Sequence, residues 1–295
     1  MIGEGVISTP DDELGGTITA DGQTLYFEKS AAPHYLYILY ESHLVAGQWS
    51  TPTVLPFSGL YRDTDPVLTP DGKTLLFASD RPVNGKDEHH FYIWSATKIA
   101  HGWTDPKLMP GPVNDGYNQV FASMAANGNI YFASSRKTGH YDIFCARLMD
   151  GKYQPAEDLG PDFNGPAIDS FEAFIAPDDS FLLIGSFGRE DSLGSSDLYI
   201  AYNQNGTWTK PRNLGPIINS RARDYSPRIS GDGKWLLFTS ERTTPPGESA
   251  KAAKPRSTPY TYEEFTAESR SLYNGLGNLY RIPLDYVLRT TKPQP

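Results

Sequence analysis

The sequence predicts an all-β fold, a five-bladed β-propeller of four-stranded antiparallel blades, and three observations carry that prediction. The first is a motif written five times: ITADGQTLYFEKS (18–30), LTPDGKTLLFASDR (68–81), MAANGNIYFASSR (124–136), IAPDDSFLLIGSFGR (175–189) and ISGDGKWLLFTSER (229–242). The second is its recurrence every ~50 residues, the length of a unit that buries its apolar face only by stacking on its neighbours. The third is a fourth-strand element present in four units and missing from the last, which suits a ring closed by exchange between the two termini.

Within each unit a short apolar strand runs into a two-residue turn and an alternating strand leaves it, a strong hairpin signal. The turns are Asp21-Gly22, Asp71-Gly72, Asn127-Gly128, Asp178-Asp179 and Asp232-Gly233. Third strands follow at 36–42, 91–97, 141–147, 197–203 and 278–284, rich in the aromatic and β-branched residues that suit a pleated surface. Fourth strands are announced by a small-residue turn and an aromatic at 47–56, 101–110, 151–160 and 206–215. The N-terminal GEGVISTPDDE (3–13) resembles the linker GPIINSRARDY (215–225), so the first segment is expected to complete the last blade.

The 295 residues therefore read as one propeller domain, 1–295, with a long insertion at 243–277 in the last blade. A six-bladed ring is the alternative and would need a blade hidden in that insertion. Its prolines at 245, 246, 255 and 259, followed by YTYEEFTAESRSL (260–272), read instead as a loop and a short helix.

Composition excludes several function classes. A net charge of −9 without a Lys/Arg-rich stripe argues against nucleic acid and anionic membrane surfaces. No apolar run approaches the ~18 residues of a membrane span, and MIGEGVIST has no basic and apolar regions of a secretory signal. The single cysteine, Cys145, reads as a small buried residue. There is no Gly-x-Ser-x-Gly elbow and no Gly-rich phosphate loop, so neither nucleophilic catalysis nor a nucleotide cofactor is expected; no cofactor or metal is assigned.

The motifs resemble those of the TolB-type WD-like repeat family. Its unit has a Ser-Pro-Asp-Gly-Lys turn, a strand ending in Phe-x-Ser-x-Arg and a later Asp-Ile-Tyr strand. Here these are Thr69-Pro70-Asp71-Gly72-Lys73, Phe77 to Arg81, and Asp142-Ile143-Phe144, with partial copies in every unit from about Gly5 to Tyr280. The resemblance implies a propeller of bacterial export, periplasmic or secreted. It leaves function open, since the repeat occurs in translocation scaffolds, peptidase accessory domains and polysaccharide lyases. TolB itself is six-bladed with an extra domain, and this chain shows five units.

Candidate site residues come from aligning the units on their turns. Glu13, Asp63, Gln119, Ser170 and Asp224 fall at one position; Gly15, Asp65, Phe121, Glu172 and Ser226 lie two residues on, and alternation predicts that both sets face the channel mouth. Arg81, Arg136, Arg189 and Arg242 close the hairpins near the same rim and are candidates either for ligand contact or for fastening the blades. Departures from the repeat are the informative places: Tyr61, Arg62, Asp63 and Asp65 in unit 2, Gln119 and Phe121 in unit 3, Glu172 in unit 4, and His90 and His140 at equivalent third-strand starts, with Tyr225 of unit 5 among the aromatics expected to line the mouth.

Three readings follow. A mixed acidic and aromatic channel mouth suits a carbohydrate or another small polar ligand. Asp65, Glu172 and Asp224 would be the catalytic carboxylates of a glycoside hydrolase, with a metal-assisted lyase on His90, His140 and Gln119 as its variant. A scaffold for an envelope protein would use the 243–277 loop, where Tyr260, Tyr262 and Phe265 stand.

Overall fold

Five antiparallel sheets repeat in chain order in the computed structural model, which describes residues 1–31, 35–86, 90–136, 140–246 and 258–292. His34, His89 and residues 247–257 of the insertion lie outside them. The innermost strands are Asp12–Ile18, Asp63–Leu68, Gln119–Met124, Asp169–Ile175 and Asp224–Ile229. Each pairs through its tight turn with a second strand, and that strand pairs with the third. Inner strands such as Asp12–Ile18 and Asp224–Ile229 are buried along their whole length because both faces of a blade pack on its neighbours, and apolar residues between adjacent blades form the core.

The fourth position shows how the ring closes. In blades 1 to 4 the amides of Leu55, Met109, Leu159 and Leu214 donate to third-strand carbonyls of Leu39, Ile93, Ile143 and Leu198. In blade 5 that bond comes from the other end of the chain: the Ile2 amide donates to Leu279 O at 2.7 Å. A polar side chain a few residues on then caps the same strand. Asn114, Asn164 and Asn219 bond both backbone groups of Ile93, Ile143 and Leu198, Ser58 accepts from Leu39 N, and Ser8 bonds both backbone groups of Leu279. Ser8 thus occupies the rung that asparagine holds elsewhere, with Ile2 and Ile7 buried beside Leu279.

The arginines that end the hairpins are fasteners. Arg81 donates to Asp63 at 2.6 Å and to Phe57 O, and Arg242 to Asp224 at 3.0 Å and to Ile218 O. Arg136 reaches Pro112 O and Asp115, and Arg189 reaches Asp162 O and Phe163 O. All four bond a serine of their own strand through Nε and lie over aromatic rings such as Phe77, Phe144, Tyr199 and Tyr280. In blades 2 to 5 the repeated arginine therefore ties the linker entering the blade to that blade's second strand.

The insertion contains the expected short helix, Tyr262–Ser269, started by a capping box in which Thr261 and Glu264 exchange bonds. A second helix, Leu284–Thr291, follows the last strand. It buries Leu284 and Val287 against blades 4 and 5 and meets Tyr202 through Thr291, an element the strand-rich reading of 278–284 did not extend to.

Candidate functional site

All five innermost strands carry a bulge, and the bulge decides what reaches the channel. The register slips between Leu14 and Thr17, Thr64 and Val67, Val120 and Ser123, Ser170 and Glu172, and Tyr225 and Arg228. At the bulge Gly15, Asp65, Phe121 and Ser226 take left-handed φ values of +50° to +59°. That backbone turn breaks simple alternation. Asp63 and Asp224 point to their arginines, Gln119 is buried against Asp115 and Ser134, and only the residue two positions on faces the axis. The expectation that both aligned sets face one mouth is corrected accordingly.

The bulged amides staple neighbouring blades. Asp65 N donates to Glu28 Oε2 at 2.5 Å, Phe121 N to Asp65 Oδ2 at 3.3 Å, Ser226 N to Glu172 Oε2 at 2.6 Å, and Gly15 N to Thr239 Oγ1 at 3.1 Å. In each case an amide of one blade meets a side chain of the blade before it. The carboxylates on the axis therefore have a structural role beside any chemical one.

On the axis all five blades contribute one side chain to a single buried cluster. Arg228 of blade 5 is 1% exposed. Its guanidinium lies 5.2 Å from the centre of the Phe121 ring of blade 3 and feels the charges of Glu172, Asp65 and Glu28, from blades 4, 2 and 1. Nη1 bonds Pro227 O, while Nε and Nη2 have no hydrogen-bond partner. Burial is the main influence on every member. It pushes the Glu172 carboxyl up to about 8 against the pull of Arg228. Glu28 and Asp65 are raised as well, by burial first, with Asp65's negative charge adding to the rise at Glu28. At neutral pH the cluster therefore keeps protons that exposed acids would release, which lowers the cost of burying three carboxyls beside one cation.

Above this plug lies a cavity of about 220 Å³, at the end of the channel where third strands begin. Tyr37, Phe91, Phe121, Tyr141, Phe171 and Tyr225 contribute to its lining, as do Glu28, Asp65 and Arg223. Phe121 and Phe171 meet edge to face at 6.1 Å. Burial raises the Tyr37, Tyr141 and Tyr225 hydroxyls above their usual range, so they stay protonated and can donate.

Of the residues picked from the sequence, Asp65, Phe121 and Tyr225 line this cavity, Glu172 lies in the plug bonded to Ser226, and Arg62 stacks on Phe91 at 4.8 Å while donating to Asp80. Others do not meet there. Asp224 is held by Arg242 and Ser220, so the trio Asp65, Glu172 and Asp224 does not converge. Tyr61 lies at the rim with Arg81 over its ring. His90 packs edge-on to Tyr92, His140 is exposed, and neither lines the cavity that Gln119 also stays out of. Among the described residues no three His, Cys, Asp or Glu side chains are grouped to hold a metal.

Three contributors were missed. Glu28 stands where the aligned units have Ala78, Ala133, Gly185 and Thr239; Arg228 stands where they have Thr17, Val67, Ser123 and Phe174. Arg223 is the third. The signal for the first two was a charge in a column of small or uncharged residues.

No family model and no curated protein matches the sequence. Among solved structures the fold is similar to TolB from Acinetobacter baumannii, at 19% identity and a TM-score of 0.50 over 78% of this chain and 49% of that one. It is similar also to a TolB from Agrobacterium tumefaciens, at 17% identity and a TM-score of 0.51 over 78% and 70%. The chain thus spans about half the length of the Acinetobacter protein. At such identities the likeness is one of fold, a TolB-type β-propeller. Among the described residues no helix is long and apolar enough to cross a membrane.

Proposed function

We propose that this propeller is a ligand-binding module that takes a sugar ring at the mouth of its central channel. The observation that carries the reading is the cavity of about 220 Å³, in which aromatic faces surround the buried carboxyls Glu28 and Asp65. Sugar C–H faces stack on aromatic planes, and sugar hydroxyls pair with carboxyl and phenol groups that are fixed in advance. The volume is below the ~300 Å³ of drug-sized sites, which favours one ring over an extended chain. Hydrolysis has less support, because a glycosidase needs two carboxyls on opposite sides of one bond, whereas Glu28 is tied to the Asp65 amide beside it and Asp224 is committed to Arg242.

Calorimetric titration with a panel of monosaccharides and short glycans tests the reading. Saturable binding that weakens about 10-fold or more in Phe121→Ala is expected from the loss of one stacked ring. Absence of binding to every saccharide at millimolar concentration would remove the proposal.

A second reading, a scaffold for a protein of the bacterial envelope, draws on the helix Tyr262–Ser269. It buries none of its residues, and Tyr262 and Phe265 are 80% and 60% exposed. The connection leaves blade 5 after Ser240 and returns at Asn278, the same end as the cavity. Co-purification from envelope extracts with and without residues 258–272 tests it. An envelope location is part of this reading and rests on the fold's likeness to TolB.

A further inference from the structure

We infer that the cavity is specific for an acidic sugar, a pyranose bearing a carboxylate that Arg223 receives; this rests on the sugar reading above and goes beyond it by naming the charge. Arg223 precedes the innermost strand of blade 5, and its counterpart in blade 2 is Arg62. The two are built alike. Each backbone carbonyl accepts from the residue ending the second strand, Arg62 O from Asp80 N and Arg223 O from Glu241 N, and each side chain turns toward that same acid. The difference lies in how well the acid holds it.

Arg62 holds its acid closely: Nε donates to Asp80 Oδ2 at 2.8 Å, and its own amide bonds the same carboxylate. Arg223 does not. Its nearest approach to Glu241 is 3.4 Å through Nη1, and its buried Nε has no partner. The fastening arginines hold their acids at 2.6 to 3.1 Å where they have one, so Arg223 has the loosest ion pair of the set. With 31% of its side chain exposed, it lines the cavity.

Its guanidinium is nevertheless fixed in place. It lies 4.5 Å from the Tyr225 ring centre, 5.4 Å from Phe187 and 5.9 Å from Phe171, three rings that hold the plane without using its donors. A planar guanidinium held in advance, with only a 3.4 Å bond to its own acid, suits a carboxylate. The other polar groups of the cavity, the Glu28 and Asp65 carboxyls and the Tyr37, Tyr141 and Tyr225 hydroxyls, suit sugar hydroxyls, and a single guanidinium matches one carboxylate charge better than a doubly charged phosphate. A ring with one carboxylate at one edge and hydroxyls at the other matches both ends.

The test is titration calorimetry of the intact protein with D-glucuronate and D-galacturonate, their neutral parents D-glucose and D-galactose, and cyclohexanecarboxylate as a carboxylate without hydroxyls. The expected result is a uronate bound about 10- to 100-fold tighter than its parent, the range of a charge-assisted hydrogen bond pair. That advantage should disappear in Arg223→Gln, stay partial in Arg223→Lys, and shrink with added salt. Should Arg223→Gln not fold, as judged by circular dichroism, the lysine variant and the wild-type ratio decide. Uronate and parent bound equally, or a wild-type preference untouched in both variants, would overturn the assignment to Arg223 while the sugar reading stands. Cyclohexanecarboxylate bound as tightly as the uronates would overturn the acidic-sugar class. No binding to any of the five would overturn the sugar reading itself.

Discussion

Replacing Glu172 by glutamine should flatten the dependence of stability on pH and make the protein more stable in mild alkali. The carboxyl is fully buried, accepts the Ser226 amide at 2.6 Å and the Ser226 hydroxyl at 3.1 Å, and is packed so closely that a Cβ on Gly185 would come within 2.1 Å of Oε2. Burial raises it from the ordinary 4.5 to about 8. In that interval the folded protein holds a proton that the unfolded chain has released, so stability falls as pH rises, by about 1.4 kcal/mol per pH unit. The stabilising contribution is complete below about pH 4.5 and is lost as pH passes through about 8; between pH 5 and pH 8 the loss is on the order of 4 kcal/mol. Glutamine keeps the shape and an acceptor for Ser226 and does not ionise. Urea unfolding at pH 5, 6.5 and 8 should then show a gap between variant and wild type that widens with pH in favour of the variant. Glu28 and Asp65 tilt both profiles in the same direction, so the gap is the quantity to read. Two parallel profiles would refute the reasoning, because they would mean that Glu172 ionises alike in the folded and unfolded states.

The opposite substitution on the axis should have the opposite dependence. Arg228→Met takes away the guanidinium facing Glu28, Asp65 and Glu172, and should cost about 3–5 kcal/mol at pH 8, where charged carboxylates are left uncompensated, and distinctly less at pH 5; denaturant titration at the two pH values checks this, and equal costs would contradict it. Removing residues 1–8 deletes the Ile2–Leu279 rung, the Ser8 cap and the buried side chains of Ile2 and Ile7. At about 1.5–3 kcal/mol for each buried isoleucine, a loss of at least 3 kcal/mol should appear as a melting transition lowered by several degrees, whereas an unchanged transition would mean that the ring closes without them.

The same repeat that made the architecture legible hid half of the site. Turn dipeptides, strand alternation and the missing fourth element carried enough information to place five blades and to assign their closure to the N-terminal segment. The Phe-x-Ser-x-Arg strand end also marked a recurring position. What the pattern could not convey is the bulge. Nothing in the identities of Asp65, Phe121 and Ser226 announces φ values of +50° to +59°, and without that turn Asp63 and Asp65 look like neighbours on one face. Tertiary context imposes the conformation, at a cost of about 1–2 kcal/mol per residue, because the bulged amide gains a partner in the adjacent blade. Glu28 and Arg228 were legible in principle, each a charge in a column otherwise small or uncharged, but they lie one strand away from the aligned window or deeper along it. Their positions also explain each other. Blade 1 sends its acid from the second strand, where blade 4 has Gly185; blade 4 sends Glu172 from the first strand, into the space that glycine leaves. Either arrangement alone would fit its own blade, yet both carboxyls end beside the same arginine. A ring of copies that differ in this compensated way keeps one plug on the axis, and because Glu28, Asp65 and Phe121 belong both to the plug and to the cavity lining, the packing that satisfies Arg228 also shapes the floor of the cavity.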